Sequence, residues 1–179
     1  MDPKSSGERA LRDLFAAIAE HTFQVDLGVA DPRVLDYLID LLVRFVRVDH
    51  IFRIRDATGR RLYEVAAMLM EAEERTANPK REIHRHIGDF ILFWTGIYPE
   101  HVERMRRRSA DVLIDYEKQG RTSYYIASTF VNEPYQKEAP ILRRLSEQFD
   151  LFQYGLRCVR REMDRLPERL GPTDRDAHN

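Results

Sequence analysis

The stretch from Arg81 to Glu100, REIHRHIGDFILFWTGIYPE, constrains the fold more than any other part of the chain. Its most apolar part, Phe90 to Tyr98, is far shorter than the ~20 apolar residues that a membrane-spanning helix needs. A segment this apolar must then be packed among other elements of a globular protein. We expect a central core helix at about 79–97, ended by Gly96 and Pro99.

The rest of the chain shows apolar residues at steps of three and four, which is typical of amphipathic helices. Helices are predicted at about 6–23, 32–47, 60–76, 79–97, 109–131 and 138–167, with a short additional helix from Pro99 to Met105. Residues 48–55 partly alternate, but no second strand-like run is present to pair with them, so an irregular segment is favoured over a short strand. The predicted fold is all-α, a single-domain bundle of about six helices with a central apolar helix and a long C-terminal helix.

Size, charge and cysteine content bound the class of protein. The 179 residues fit one domain, with residues 1–5 and 171–179 predicted to be disordered tails. The formal net charge is -1, whereas a dedicated nucleic-acid-binding protein usually has a strong basic excess. Cys158 is the one cysteine, and the N-terminal residues lack the apolar core of a signal peptide, so we expect a soluble cytoplasmic protein without disulfides or membrane spans.

Polar residues within the central stretch are the candidates for function. His84 and His86 lie two positions apart, about 200° around a helix axis, so they cannot bind one metal ion together. Glu82, His86 and Asp89 share one flank, which favours a hydrogen-bonded network that orients His86 over a metal site. Because a buried carboxylate needs partners, Asp89 is interpreted either as a structural clamp between helices or as an acid in a pocket beside His84 or His86.

Glycines indicate where this helix meets its neighbours. Gly88 and Gly120 predict a close crossing of the helices at 79–97 and 109–131, surrounded by tyrosines such as Tyr124. The crossing is either tight packing or the wall of a small pocket. The predicted ligand-binding residues are His84, His86, Asp89, Tyr98 and Tyr124; no metal site is predicted and any cofactor is unknown.

The C-terminal helix carries apolar residues on two sides. One side continues the core pattern, and the other bears Leu151, Tyr154 and Cys158. A helix that is apolar on two sides is packed on both, either inside the bundle or between two subunits. We favour self-association through this second stripe, giving a homodimer.

Known catalytic motifs are missing from the sequence: it contains no HExxH, no P-loop, no GxGxxG and no GxSxG, and it lacks the ExxH pairs of di-iron bundles. The string HIGDFILFWTGIYPE, together with YLIDLLVRFV at 37–46, resembles an uncharacterised family of bacterial helical proteins. The resemblance covers about residues 30–130. It implies a bacterial source and an all-helical fold, and it implies no activity.

Three functional hypotheses follow. The first is a non-catalytic binding or scaffolding homodimer. The second is a small-molecule enzyme or sensor with a pocket near Gly88 and Asp89. The third is nucleic-acid binding through Arg106, Arg107 and Arg108, which is disfavoured because a basic run at a helix C-terminus is usually a solvated end.

Overall fold

The computed structural model describes the backbone of residues 3–46 and 53–170, and the side chains of residues 6–46 and 53–166. The described residues form eight α-helices, with a π-helical turn at His21–Asp26 and a 3-10 turn at Ala110–Leu113. The helices are α1 (Pro3–Glu20), α2 (Pro32–Val46), α3 (Val65–Glu74), α4 (Ala77–Ile97), α5 (Pro99–Arg107), α6 (Tyr116–Ser128), α7 (Ala139–Glu147) and α8 (Phe149–Leu170). This arrangement confirms the predicted all-α fold, its central apolar helix and its long C-terminal helix.

Local sequence signals explain where several helices begin. At α2, the Asp31 carboxylate accepts a hydrogen bond from the Arg33 amide at 3.0 Å, and Pro32 occupies the first helical position, where no amide is needed. At α6, Asp115 accepts from the Lys118 amide at 3.1 Å. Each cap gives a partner to a backbone amide that the helix itself leaves unpaired.

Two predicted helices are divided in the structure. The helix predicted at 109–131 begins with the 3-10 turn, whose first amides are capped by Ser109, and α6 starts only at Tyr116. The helix predicted at 138–167 is interrupted at Gln148, which has φ -117° and ψ 34°. Leu145 and Phe149 are fully buried on either side of this residue, so the inward spacing continues across the break and apolar periodicity cannot reveal it.

The region between α2 and α3 is irregular where it is described. Arg55 and Arg61 form an isolated antiparallel bridge around a turn at Asp56–Gly59, so α3 begins at Val65 and not at residue 60. Ile54 is buried, as expected for an anchoring residue. The prediction for residues 48–52 lies outside the described residues, as do residues 1, 2 and 171–179 of the predicted tails; α1 already includes residues 3–5.

Helix α4 is the centre of the domain and contacts α2, α3, α5, α6 and α8. Every residue from His86 to Phe93 is buried, which spans more than two turns and therefore all sides of the helix. The predicted one-sided core face is thus only part of what α4 buries. Fully burying a side chain such as Phe90 contributes about 1.5–3 kcal/mol, so this helix supplies a large share of the core energy.

A close crossing of α4 and α6 occurs at Gly88, as predicted, whereas Gly120 on α6 lies closest to the ring of Phe149 on α8 and next to Ile91 of α4. A Cβ atom built on Gly88 would lie 2.7–2.9 Å from the ring of Tyr124, which is closer than carbon atoms approach each other. The absence of a side chain at this position lets Tyr124 lie flat against the α4 backbone. Among the described residues, no helix combines the length and the apolarity that crossing a membrane requires.

Candidate functional site

The side chain of Asp89 lies at the junction of α2, α4 and α6. It is 1% exposed and accepts hydrogen bonds from the hydroxyls of Tyr37 at 2.7 Å and Tyr124 at 2.8 Å. Arg44 of α2 donates to its second oxygen at 3.1 Å. One carboxylate therefore joins three helices, as the clamp interpretation of the sequence requires.

The charges around Asp89 decide its ionisation. Burial alone would raise the pKa of this carboxyl, but the Arg44 and Arg85 guanidinium groups and the two tyrosine hydroxyls outweigh burial and bring its pKa below the usual value. Burial and the Asp89 charge raise the pKa of Tyr37 and of Tyr124 far above that of an ordinary tyrosine. At neutral pH the cluster therefore consists of an anionic carboxylate held by two neutral hydroxyls and a cation.

A cavity of about 560 Å³ lies directly beside this cluster, between α1, α2 and α4. We call it the arginine cavity. Tyr37 and Arg44 contribute to its wall while holding Asp89 behind it. The described residues that line it are Glu8, Arg9, Arg12, Tyr37, Asp40, Val43, Arg44, Arg85 and Glu138.

Arg85 connects the cavity to a second group of charges. Its Nε donates to the Tyr37 hydroxyl at 3.2 Å, and its Nη2 lies 3.2 Å from Glu138. Glu138 also pairs with Arg81, which is 1% exposed and stacks on the Tyr135 ring at 4.0 Å. Glu138 thus bridges a buried arginine and a cavity arginine.

The cavity wall carries more hydrogen-bond donors than acceptors. Among the lining residues there are four arginines and three carboxylates. A guanidinium group has five N–H donors and no acceptor, whereas a carboxylate offers about four acceptor sites. The Nη2 atom of Arg44 is buried and has no hydrogen-bond partner among the described residues. This inventory suits a ligand that is rich in oxygen acceptors and negatively charged.

The structure brings two of the five predicted site residues together, Asp89 and Tyr124. His84 is buried on α4, with Nδ1 3.5 Å from the Ser123 hydroxyl, and burial lowers its pKa. His86 stacks against Phe45, with ring centroids 5.8 Å apart. Tyr98 lies at the other end of α4, where its ring packs against Trp94 and beneath the guanidinium of Arg160.

In the predicted row of Glu82, His86 and Asp89, the two carboxylates bond to different side chains. Glu82 pairs with Arg81 at 2.6 Å and with Arg85 at 3.6 Å, while Asp89 bonds to tyrosines and Arg44. Glu82 is held by arginines of α4 itself, whereas Asp89 is held by residues of α2 and α6, so the two carboxylates of this flank have different direct partners. The described residues contain no group of three or more His, Cys, Asp or Glu side chains placed to hold a metal ion.

Sequence reasoning missed Tyr37, Arg44, Arg85 and Glu138. A signal was present for the first two: Tyr37, Asp40 and Arg44 follow one another at helical steps of three and four on the apolar helix α2. A polar stripe on such a helix requires buried partners. Glu138 carries no comparable signal, because it lies in a connecting segment whose path depends on tertiary packing.

A second buried carboxylate, Asp111, has a structural role. Its two oxygens accept from the amides of Val65 at 2.9 Å and Ala66 at 2.8 Å, which are the first amides of α3. The Tyr116 hydroxyl donates to it at 2.6 Å. Asp111 therefore caps α3 from a distant part of the chain.

The arginine run 106–108 lies at the C-terminal end of α5, as predicted. Arg106 is turned inward: it donates to the Ile114 carbonyl at 2.7 Å and its guanidinium lies 5.3 Å from the centre of the Tyr116 ring. Arg107 and Arg108 are exposed.

Comparison with protein-family models, with curated proteins and with solved structures found no significant match. The all-helical fold implied by the resemblance is confirmed by the structure itself, and the bacterial family is not identified by these comparisons.

Proposed function

We propose that this chain is a non-catalytic binding protein for a small oxyanion, a phosphate or a carboxylate, held in the arginine cavity. The observation that supports this proposal is the placement of Arg44 and Arg85. Both line the cavity, both have side chains less than a quarter exposed, and both are fixed from behind by the buried Asp89 and Tyr37. Guanidinium groups held in this way keep their orientation before a ligand arrives, which reduces the entropy lost on binding.

The size and chemistry of the cavity favour a small and strongly polar ligand. A volume of about 560 Å³ lies within the range of roughly 300–1,000 Å³ that is common for ligand pockets. Val43 is the one aliphatic side chain among the described lining residues, and charged guanidinium and carboxylate groups surround it, which favours a ligand that itself carries charge. Arginine forms paired hydrogen bonds to carboxylate and phosphate oxygens, which a chloride ion cannot reproduce.

The rim arginines allow a test that leaves the core intact. Arg9 is exposed and Arg12 is partly exposed, and both line the cavity from α1, so the double variant Arg9→Gln/Arg12→Gln should fold normally. We expect wild-type protein to bind potassium phosphate or sodium succinate in calorimetric titration at fixed ionic strength. The double variant should bind roughly tenfold more weakly, equivalent to about 1.4 kcal/mol.

A matched control is available on α5. The variant Arg104→Gln/Arg107→Gln makes the same change in net charge at two exposed arginines outside the cavity. It should bind both anions within about twofold of wild type. Equal loss of binding in both double variants would mean that the net charge of the protein, and not this cavity, attracts the anion.

A second candidate function is scaffolding by a homodimer through α8. Its support is the outer face of that helix, where Tyr154 is 51% exposed and Leu151 and Cys158 are half-buried. Light scattering during size exclusion would test it, comparing wild type with Leu151→Glu and Cys158→Glu. A dimer that both variants convert to monomer supports the proposal, and a monomeric wild-type protein rejects it.

A further inference from the structure

Glu138 occupies a position that an external oxyanion would also favour. Its carboxylate lies at the wall of the arginine cavity, with one oxygen on Arg81 and the other 3.2 Å from Arg85 Nη2. The two oxygens of a carboxylate, or two oxygens of a phosphate, can span a pair of guanidinium groups in this way. The protein therefore supplies its own anion to a cation that the proposed ligand would use.

Removing Glu138 would not leave either arginine without a counter-charge. Arg81 Nη1 donates to Glu82 at 2.6 Å, and Arg85 Nη1 lies 3.6 Å from the other oxygen of Glu82. Arg85 also keeps its bond to the Tyr37 hydroxyl. An exchange of Glu138 for a ligand thus avoids the several kcal/mol that an unpaired buried charge costs.

Two other carboxylates near the cavity, Asp89 and Asp40, are less suited to exchange. Asp89 is 1% exposed and holds three hydrogen bonds, so it cannot leave without opening the core. Asp40 pairs with Arg12 where both side chains are about half exposed, and such pairs contribute little because solvent screens them. Glu138 combines a firm contact with an exit to solvent, since its side chain is 26% exposed.

We propose that Glu138 is an internal competitor for the oxyanion site, so that a bound phosphate or carboxylate displaces it from Arg85 and releases the segment 129–138. This inference rests on the proposed function of the arginine cavity. In that segment, residues 131–134 together with 136 and 137 are exposed, and Tyr135 and Glu138 make its inward contacts. Loss of the Glu138 contact loosens the turn in which the amides of Glu138 and Ala139 both donate to the Tyr135 carbonyl.

The substitution Glu138→Gln tests the competition, because it keeps the shape of the side chain and removes its charge. Its affinity for phosphate and for succinate, measured by calorimetry on the full chain, should be about tenfold higher than that of wild type. Glu133→Gln lies in the same segment on an exposed residue and should leave both affinities within about twofold. Asp40→Asn removes a cavity carboxylate that does not touch Arg85 and should change them by no more than about threefold.

Hydrogen exchange gives a second and independent readout. Adding saturating phosphate or succinate to wild-type protein should speed exchange of the Glu138 and Ala139 amides, although ligand binding usually slows exchange. In Glu138→Gln these amides should exchange fast before any anion is added. If the Glu138→Gln variant does not fold, the hydrogen-exchange measurement on wild-type protein alone tests the competition.

The outcomes separate this inference from the proposed function. Suppose that wild type binds the anions and that Arg9→Gln/Arg12→Gln weakens this binding. If Glu138→Gln then leaves the anion affinity unchanged, or changes it no more than Asp40→Asn does, the competition by Glu138 is rejected and the binding site is retained. Slower exchange at residues 138 and 139 on binding also rejects it. If neither wild type nor Glu138→Gln binds phosphate or succinate, the proposed function itself is wrong. A response to phosphate alone, or to succinate alone, identifies the ligand class.

Discussion

Replacing Asp89 with asparagine removes one negative charge from the centre of the domain while nearly preserving the volume of the side chain. The carboxylate accepts from Tyr37, Tyr124 and Arg44. Asparagine has one acceptor oxygen, and its amide places donors where the second carboxylate oxygen accepted the Arg44 N–H. Both tyrosine hydroxyls donate to the same oxygen, so the variant can keep both tyrosine bonds, but Arg44 then faces a donor.

The expected loss in the free energy of unfolding is about 3–4 kcal/mol. A hydrogen bond to a charged group contributes roughly 1.5–3 kcal/mol, and removing one partner of a buried ion pair costs about 3–5 kcal/mol. We expect a value at the lower end because the Arg44 side chain is 23% exposed and can turn toward water. The loss is large compared with the 5–15 kcal/mol by which most domains are stable.

Urea unfolding at pH 7, followed by the fluorescence of the single tryptophan Trp94, measures this difference. Asp40→Asn is the control, since Asp40 makes a solvent-exposed pair with Arg12 and its loss should cost less than about 1 kcal/mol. The pH dependence gives a further check. Because the folded pKa of Asp89 is lowered, its stabilisation is complete above about pH 4 and declines as the pH falls through the folded pKa.

The advantage of wild type over Asp89→Asn should therefore shrink in acid and persist at neutral pH. A variant that unfolds within 1 kcal/mol of wild type at pH 7 would refute the clamp. So would a difference that stays constant down to the acid limit of folding.

Two further predictions concern α4. Gly88→Ala should destabilise the domain by about 1–3 kcal/mol in urea unfolding, because the new Cβ would lie 2.7–2.9 Å from a Tyr124 ring that Asp89 holds in place. The control Gly7→Ala, which has open space around it on α1, should instead stabilise the domain by up to about 1 kcal/mol. A Gly88→Ala protein as stable as wild type would contradict the close crossing. His84 has a lowered folded pKa, so the stability that depends on its neutral form is present above the unfolded pKa of about 6.5 and is lost as the pH falls. His84→Gln should therefore flatten the decline in stability between pH 7 and pH 5 by up to about 1.4 kcal/mol per pH unit, measured by urea unfolding at each pH, and an unchanged slope would contradict this role of His84.

The fold followed from short-range signals, and this explains how far prediction reached. Apolar spacing located α2 and α4 nearly residue by residue, because those helices present their hydrophobic residues in an unbroken pattern. Pro32 marks the start of α2, and Gly96 and Pro99 mark the end of α4. The same spacing joined α7 to α8, since Gln148 changes the backbone angles without changing which residues face inward. Apolar periodicity indicates which residues face the core, and it does not indicate whether the helical backbone is continuous.

The candidate site was predicted in part. The burial of Asp89 followed from its position between Gly88 and Phe90, and a buried carboxylate requires partners. Tyr124 was expected beside Gly88, and it bonds to Asp89. The sequence gives no distance between α2 and α4, so Tyr37 and Arg44 could not be assigned to Asp89. The arginine cavity depends on α1 lying against α2, which no local pattern specifies.

The position of Asp89 behind the cavity wall separates two kinds of variant. Tyr37 and Arg44 belong both to the buried clamp and to the wall, so substitutions there must change stability and anion affinity together. Arg9 and Arg12 belong to the rim alone, so their substitution must change affinity at nearly constant stability. If the cavity were merely a by-product of the clamp, substitution of Arg9 and Arg12 would not change the affinity of the protein for anions. Anion affinity that depends on Arg9 and Arg12 is therefore the measurement that distinguishes a binding site from a structural ion-pair network.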